Sequence, residues 1–372
     1  MAPGTGRAAI VQEYGAPLEI VEYPLPEPEP GALLVAIEAT TICGSDVHGW
    51  QGAYEGILPV ELPLILGHEG AGRVVAIGAG AEVDSVGTSV AVGDRVVWAS
   101  ESCGRCWTCT VAKQPTLCPD RRLGMLTSAA RPPHFFGMFA EYSYVFPKAG
   151  RLRVPDELPT ELAAVATCAG RTVVNALERA GRIDAQDRIV VQGSGPVGLF
   201  CVAMAAAHSP RQIIAIGAPD ERLEIARRWG ATETISIEEH DAPARLEEVM
   251  RLTDGHGADV LFEASGGRGA VPEGLNMAAR TGRYVLIGAT GAGTQEIEPH
   301  RIINKGLTVL GTFSGDIDSF HKAMRFMVAN PRGVDWGEVI GGRYPLEGLT
   351  EALEEMRAMR DIKPVIEPGG VR

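Results

Sequence analysis

Residues 188–206 read RIVVQGSGPVGLFCVAMAA: a β-branched apolar run, glycines at 193, 195 and 198, then an apolar stretch long enough for a helix. A strand that turns through G-x-G-x-x-G directly into a helix is the opening of a βαβ unit, and it constrains everything after it. The rest keeps the rhythm. QIIAIGA, DERLEIARRWGA, ADVLFEASG and LNMAARTGRYVLIGAT alternate strand-like and helix-like texture, so residues 170–313 are expected to form a doubly wound parallel sheet. Glycines at those positions let the backbone approach a pyrophosphate, which the free N–H groups and positive dipole end of the helix stabilise. Gly193, Gly195, Pro196, Val197 and Gly198 are therefore candidate dinucleotide-binding residues. The bland alternative is a tight turn without a ligand; the strand before, the helix after and the second strand beyond favour a nicotinamide cofactor.

An acidic residue about 20 positions on commonly accepts hydrogen bonds from the adenosine ribose and selects NAD. Here that place is taken by Gly217, followed by Ala218 and Pro219, with Asp220 and Arg222 just beyond. Without the carboxylate the 2′-phosphate of NADP is not repelled, yet the next two residues offer it no cation. Gly217 leaves the place without a carboxylate, Asp220 and Arg222 could each serve one of the two cofactors, and the choice between NAD and NADP stays open.

Residues 1–155 have another texture: short β-branched runs such as ALLVAIEAT, GAGRVVAIG and GDRVVWA, broken by Gly, Pro and Asp, the pattern of an all-β unit with few helices. The last sixty residues, with a strand-like GGRYPL and a charged helix LTEALEEMRAMRD, do not continue the parallel rhythm and are assigned back to the first unit. Domains are thus expected at 1–169, completed by 314–372, and at 170–313. A chain of 372 residues with 45 % hydrophobic residues can fill two cores. Its 34 basic against 47 acidic side chains, a net charge of −13, disfavour polyanionic partners such as nucleic acid. No apolar run reaches the roughly 18 residues of a membrane span, and MAPGTGRAAIVQEYG lacks the apolar stretch of a secretory signal. A cytoplasmic location is expected.

Four of the seven cysteines fall in CGRCWTCTVAKQPTLC, residues 103–118. In a chain with no export signal such a cluster points to metal rather than to cross-links. A second set of donors lies in CGSDVH at 43–48 and GHE at 67–69, with Cys43 and His68 as the central pair. Thiolate and imidazole suit Zn²⁺, and a catalytic zinc keeps three protein ligands and one open position. Cys168, in ATCAGRTVVNAL at the expected domain junction, is the candidate third ligand. Taken singly, a structural thiol, a core histidine and a buried small residue are the plainer readings of these three.

Together with VGDRV at 92–96 and GMFAEY at 137–142, these motifs make the chain resemble the zinc-dependent medium-chain alcohol dehydrogenases, including the sorbitol and threonine dehydrogenase branches, over essentially its whole length. The resemblance implies an α/β fold, with a GroES-like β-rich catalytic domain beside a Rossmann domain. It implies two zinc ions per chain: a catalytic one on Cys43, His68 and Cys168, and a structural one on Cys103, Cys106, Cys109 and Cys118, four thiolates that leave no position for substrate. Relatives place one fewer residue before the last of these cysteines, and Pro115 marks the insertion. Glu69 would approach the catalytic metal transiently, and Asp46 would orient His68. Some relatives carry a carboxylate where Cys168 stands.

The resemblance also implies the activity: hydride transfer between an alcohol (secondary, cyclic or polyol) and NAD or NADP, with Ser45 passing the proton by way of the cofactor ribose to His48. Ser45 as a turn residue and His48 as a solvated side chain are the plainer readings. Trp50 and YEGILPVELPL are expected to line the substrate pocket. The insertion SAARPPHFFGM, at 128–138, either caps that pocket or is surface loop. Cys201 reads as core, and Lys363 is given no role. The family is dimeric or tetrameric, with LTVLGTF at 307–313 as the joining strand. Two other functions stand beside this one: a zinc-free quinone or enoyl reductase, which would lack Cys43, His68 and the cysteine lobe, and a non-catalytic zinc- and nucleotide-binding protein of the same fold.

Overall fold

The computed structural model describes residues 4–58, 60–288 and 294–370; Pro59, within the expected pocket-lining stretch, lies outside them. The chain divides into two compact units. One comprises residues 1–168, 315–328 and 336–372, the other 169–314 and 329–335. Residues 329–335, assigned with the C-terminal stretch to the first unit on sequence grounds, cluster with the second, where Arg332 donates from Nη1 to Ala206 O at 3.3 Å.

The first unit is built on a seven-stranded sheet that runs Ile340–Pro345, Lys363–Glu367, Leu33–Thr41, Gly70–Ile77, Arg95–Trp98, Arg151–Arg153, with Tyr142–Val145 pairing off Leu33–Thr41. The pairings are antiparallel apart from Ile340–Pro345 with Lys363–Glu367. Thr5–Ile10 and Glu19–Pro24 form a separate hairpin pair. Alternation decides which side chains go inward: Leu33, Val35, Ile37, Val74 and Val96 fill one core, while Ile10, Leu64, Phe135, Phe139, Leu353 and Ile366 fill another. The charged C-terminal helix, Leu349–Arg357, buries Leu349, Ala352 and Leu353 against the second of these and turns its acidic face outward.

In the second unit six parallel strands lie in the order Glu233–Ser236, Gln212–Gly217, Arg188–Gln192, Ala258–Glu263, Ala278–Leu286, Thr308–Gly311. The order reverses between Arg188–Gln192 and Ala258–Glu263, which puts the switch point of a doubly wound sheet beside the glycine-rich turn. Helix Pro196–Ala206 follows that turn and is apolar on every side because it is buried on every side from Gly198 onward, Cys201 included. No helix among the described residues is long and apolar enough to cross a membrane.

Candidate active site

Strands Leu33–Thr41 and Gly70–Ile77 are antiparallel neighbours, Thr40 opposite Gly70, so the residue just past the end of one meets those just before the start of the other. Cys43 caps helix Gly44–Trp50 in that gap, and His68 and Glu69 enter from the other side. Gly67 makes the approach possible: its φ is +88°, and a Cβ there would come within 2.8 Å of Phe139 N. Asp46, fully buried, ties the two together. Its Oδ2 accepts from Cys43 N at 2.9 Å, and its Oδ1 accepts from Gly67 N and His68 Nδ1, both at 3.1 Å. That fixes the His68 tautomer and turns Nε2 toward Cys43 and Cys168.

Cys168 comes from a π-helical turn, Ala166–Gly170, that follows helix Thr160–Val165. The wider turn aims one side chain out of the regular series. Its Sγ stands 3.9 Å from Cys43 Sγ and 3.5 Å from His68 Nε2, and one ligand atom each from Cys43, His68, Glu69 and Cys168 lies within 4.8 Å of the others. A tetrahedral zinc ion with usual bond lengths sets two thiolates about 3.8 Å apart and a thiolate and an imidazole about 3.5 Å apart. The donor set therefore fits zinc in kind and in spacing. The Cys168 hydrogen bond, with the Lys363 charge against burial, holds the Cys43 thiol well below its ordinary value, while the Cys43 hydrogen bond and burial hold Cys168 well above its own. Burial opposes the His68 imidazolium, but Asp46 and Cys43 outweigh it and raise the ring to about 10.

Ser45 sits beside this centre, its Oγ 3.8 Å from Cys43 Sγ, while His48, three residues on in the same helix, is exposed. Tyr54 closes over the helix with a hydrogen bond from its hydroxyl to Ser45 O at 3.1 Å, and burial pushes its pKa up to about 12. Trp50 is turned away from solvent. It is 3 % exposed in the apolar core, and its Nε1 donates to Ala16 O at 2.7 Å. The stretch from Glu55 to Leu58 is exposed, apolar Ile57 included.

Lys363, which the motifs leave without a role, lies in the sheet of the first unit. It opens strand Lys363–Glu367 and, at 1 % exposure, reaches behind the cluster to Glu69. Its Nζ donates to Glu69 Oε1 at 2.5 Å, to Oε2, and to Ile42 O at 3.1 Å. Burial works against the ammonium, yet the charges of Glu69, Cys43 and Cys168 hold it above its ordinary value; burial pushes the Glu69 carboxyl up and Lys363 pulls it back. The signal that could have found this lysine is its neighbourhood, a single cation opening the apolar strand KPVIE, since such a residue is buried only with a partner.

The second cluster is local. Cys106 Sγ lies 3.4 Å from Cys109 Sγ and 3.8 Å from Cys118 Sγ, and the sulfurs of Cys103, Cys106, Cys109 and Cys118 all lie within 4.8 Å of one another. Pro115 begins a single 3₁₀ turn, Pro115–Leu117, that takes up the longer spacing and still delivers Cys118 to the others. The Thr108 hydroxyl, 3.0 Å away, holds the Cys106 thiol down to about 6, whereas burial pushes Cys118 up to about 12. Four soft donors at tetrahedral spacing fit a closed zinc site.

The insertion folds back on its own unit. Ala129 N donates to Pro63 O at 2.8 Å, Phe135 is fully buried, His134 stacks on Tyr23 at 4.6 Å between ring centroids, and Phe136 stacks on Phe146 at 5.7 Å. Only residues 130–132 at its tip are exposed.

At the glycine-rich turn, a Cβ on Gly198 would fall 1.8 Å from Gly193 O, whereas one on Gly195 would meet nothing within 4 Å. Gly195, the N-cap of helix Pro196–Ala206, thus has open space beside it over a closely packed glycine crossing, an arrangement that fits a pyrophosphate. Gly217 ends strand Gln212–Gly217, and a Cβ on it would fall 2.3 Å from Ser194 Oγ, which donates to Ala218 O at 2.8 Å. The place of the ribose-binding carboxylate is filled by the glycine loop itself. Arg222 is 9 % exposed in helix Asp220–Trp229. A residue missed in the sequence, Glu263, is fully buried at the end of strand Ala258–Glu263; its Oε1 accepts from Ser265 N at 2.8 Å, Ser265 Oγ at 2.7 Å and Gly266 N at 2.7 Å, shaping the loop that packs against Gly193. Its acidic place in ADVLFEASG was the available sign.

Comparison with known proteins bears on both units. Residues 29–156 match the alcohol dehydrogenase GroES-like domain and residues 196–329 the zinc-binding dehydrogenase family. The chain is 36 % identical to the 5-exo-hydroxycamphor dehydrogenase of Pseudomonas putida, over 97 % of this chain and 98 % of that one. Among solved structures it resembles an alcohol dehydrogenase from Thermotoga maritima, with a TM-score of 0.90, 31 % identity, and 98 % and 99 % of the two chains covered. It also resembles a zinc-binding dehydrogenase from Sinorhizobium meliloti solved with NADP, with a TM-score of 0.82, 26 % identity, and 98 % and 100 % covered. The chain belongs to the zinc-dependent medium-chain alcohol dehydrogenase family, oxidoreductases that exchange a hydride between an alcohol and a nicotinamide cofactor.

Proposed function

We propose that Cys43, His68 and Cys168 hold a catalytic zinc ion, that Cys103, Cys106, Cys109 and Cys118 hold a second, structural one, and that the chain interconverts a secondary alcohol, cyclic alcohol or polyol with its carbonyl product. The observation that carries this reading is the pair of separations at the first centre, 3.9 Å between sulfurs and 3.5 Å from sulfur to imidazole. They match three corners of a zinc tetrahedron with the fourth left to substrate. Zinc, when bound, supplies Lewis acidity toward an alcohol or carbonyl oxygen, and the nicotinamide supplies the hydride acceptor or donor.

The chain's own groups do the rest. Asp46 keeps the proton of His68 on Nδ1, leaving Nε2 free as a ligand. Ser45 Oγ, next to Cys43, accepts the substrate hydroxyl proton as it releases its own, and His48, exposed on the same helix, is the group that can hold the released proton at the surface. Gly193, Gly195, Pro196, Val197 and Gly198 cradle the pyrophosphate. With Gly217 in place of a carboxylate, NAD and NADP are both admitted, and Arg222 lies in the first turn of helix Asp220–Trp229.

The name of the Pseudomonas putida relative points to a hydroxylated camphor, which favours a cyclic secondary alcohol here. Exposed Ile57 and Leu58 suit an apolar wall for such a substrate. The edge strand Thr308–Gly311, with Val309 and Phe313 exposed, suits a homo-oligomer joined through this sheet. A cytoplasmic location accords with a cysteine cluster that holds metal and forms no disulfide. Metal analysis joined to a panel of cyclic, secondary and polyol substrates against NAD and NADP tests the reading. Two zinc ions per chain and cofactor reduction with a cyclic secondary alcohol are expected; a metal-replete protein that reduces neither cofactor with any member would overturn it.

A further inference from the structure

Lys363 is a buried cation that the proposed mechanism does not use. Its ammonium has three donors and all are spent: two on the oxygens of Glu69, one on Ile42 O at 3.1 Å. Glu69 is gripped from the same side by Thr41, whose Oγ1 donates to Oε2 at 2.5 Å, and its backbone oxygen accepts from Thr40 Oγ1 at 2.7 Å and Thr41 N at 2.9 Å. One Glu69 oxygen nonetheless stays within 4.8 Å of the ligand atoms of Cys43, His68 and Cys168. The carboxylate is in reach of the metal position and is held from behind.

Charge shows what the hold accomplishes. A divalent zinc on two thiolates and a neutral imidazole is neutral overall, and Glu69 with Lys363 adds a minus and a plus. Take away the lysine and a buried carboxylate remains with no counter-charge except the metal. Its best partner is then the fourth coordination position, the one substrate needs.

We propose that Lys363 is a positioning residue that retains Glu69 and so keeps the fourth position of the catalytic metal open. The inference rests on the zinc reading of Cys43, His68 and Cys168. A simple staple between strands Lys363–Glu367 and Leu33–Thr41 would leave the metal's surroundings unchanged when the charge is removed, and that separates the two.

The test uses the full chain loaded with Co²⁺, its visible ligand-field band recorded as the difference from a Cys43→Ser protein so that metal in the four-cysteine lobe cancels. Imidazole is the probe for an open position. Wild type and Lys363→Arg should show the band and shift it on adding imidazole. Lys363→Met should show a different band that imidazole no longer moves, and should release zinc to a chelator more slowly than wild type. The double variant Lys363→Met/Glu69→Gln, which replaces the buried pair by neutral groups of similar size and is expected to fold, should return to the wild-type band and response. A metal-loaded Lys363→Met protein with the wild-type band and response overturns the role of Lys363 alone, and so does a double variant whose band differs from wild type. No difference between wild type and Cys43→Ser overturns the zinc reading and this inference with it.

Discussion

Two clusters of metal donors sit in the same unit and are built in opposite ways. The four-cysteine lobe takes its ligands from residues 103–118, a loop with one short helix, Trp107–Thr110, and one 3₁₀ turn, and its surroundings are exposed: Trp107 is 67 % and Val111 63 % exposed. The other centre gathers Cys43, His68 and Cys168, separated by up to 125 residues, from a helix N-terminus, a strand entrance and a π-helical turn. Behind it stands a buried set of Asp46, Glu69, Thr41 and Lys363. A closed local loop needs only its metal to hold its shape, and it can brace. A centre assembled from distant elements is held by the fold before metal arrives, which is the condition for leaving one position unfilled.

That contrast breaks most visibly at Cys43. Replacing it with Ser is expected to lower alcohol oxidation by at least about 1000-fold, because the Lewis acid is lost or misplaced, while the far-ultraviolet circular dichroism and melting temperature stay close to wild type. A Cys43→Ser protein that keeps turnover and melts early would exchange the assignments of the two clusters. Asp46→Asn should come next. With Oδ1 no longer a charged acceptor for His68 Nδ1, zinc affinity at this centre should fall roughly 10- to 100-fold, read by competition with a chelator, and the lobe should keep its metal.

The lobe was easy to read in the sequence for the same reason that it is expected to be inert: its chemistry lies in spacing alone. The glycine-rich turn was equally legible, because a strand, three glycines and a helix within twenty residues leave little freedom. What could not be read depends on contacts across the chain. Lys363 is an ordinary letter in DIKPVIE until strand Lys363–Glu367 pairs with Leu33–Thr41 and carries it to Glu69, 294 residues away. Nearness to Cys43 in sequence suggests a pocket position for Trp50, and it gives no sign that the indole packs into the apolar core and donates to Ala16 O. Gly217 shows an absence whose cause is also non-local: Ser194 occupies the space a side chain would need. Changing Gly217 to Asp should therefore not create NAD preference. It should weaken binding of both dinucleotides by at least about tenfold, through displacement of the glycine loop, as measured by quenching of protein fluorescence.

For the lobe, Cys118→Ser should leave turnover at low temperature within about twofold of wild type and lower the melting temperature by roughly 5–10 °C, as expected when a structural metal that holds a loop is lost. The smallest effect, and the one that sharpens the comparison furthest, is on pH. Metal binding must displace the protons of the cysteine ligands, and in the lobe Cys118 is pushed up to about 12 by burial, while Cys106, held down to about 6 by Thr108, gives its proton up readily. A thiol whose pKa lies above the working pH keeps its proton when metal is absent, so protons compete with zinc and the competition strengthens as pH falls. Zinc in the lobe should pass to a chelator faster at about pH 6 than at about pH 8, with the melting temperature falling in step and turnover unaffected until the lobe opens. If the lobe instead loses zinc at the same rate across that range, its thiolates are not set by local proton competition, and the view that it is a self-contained brace fails at its chemical root.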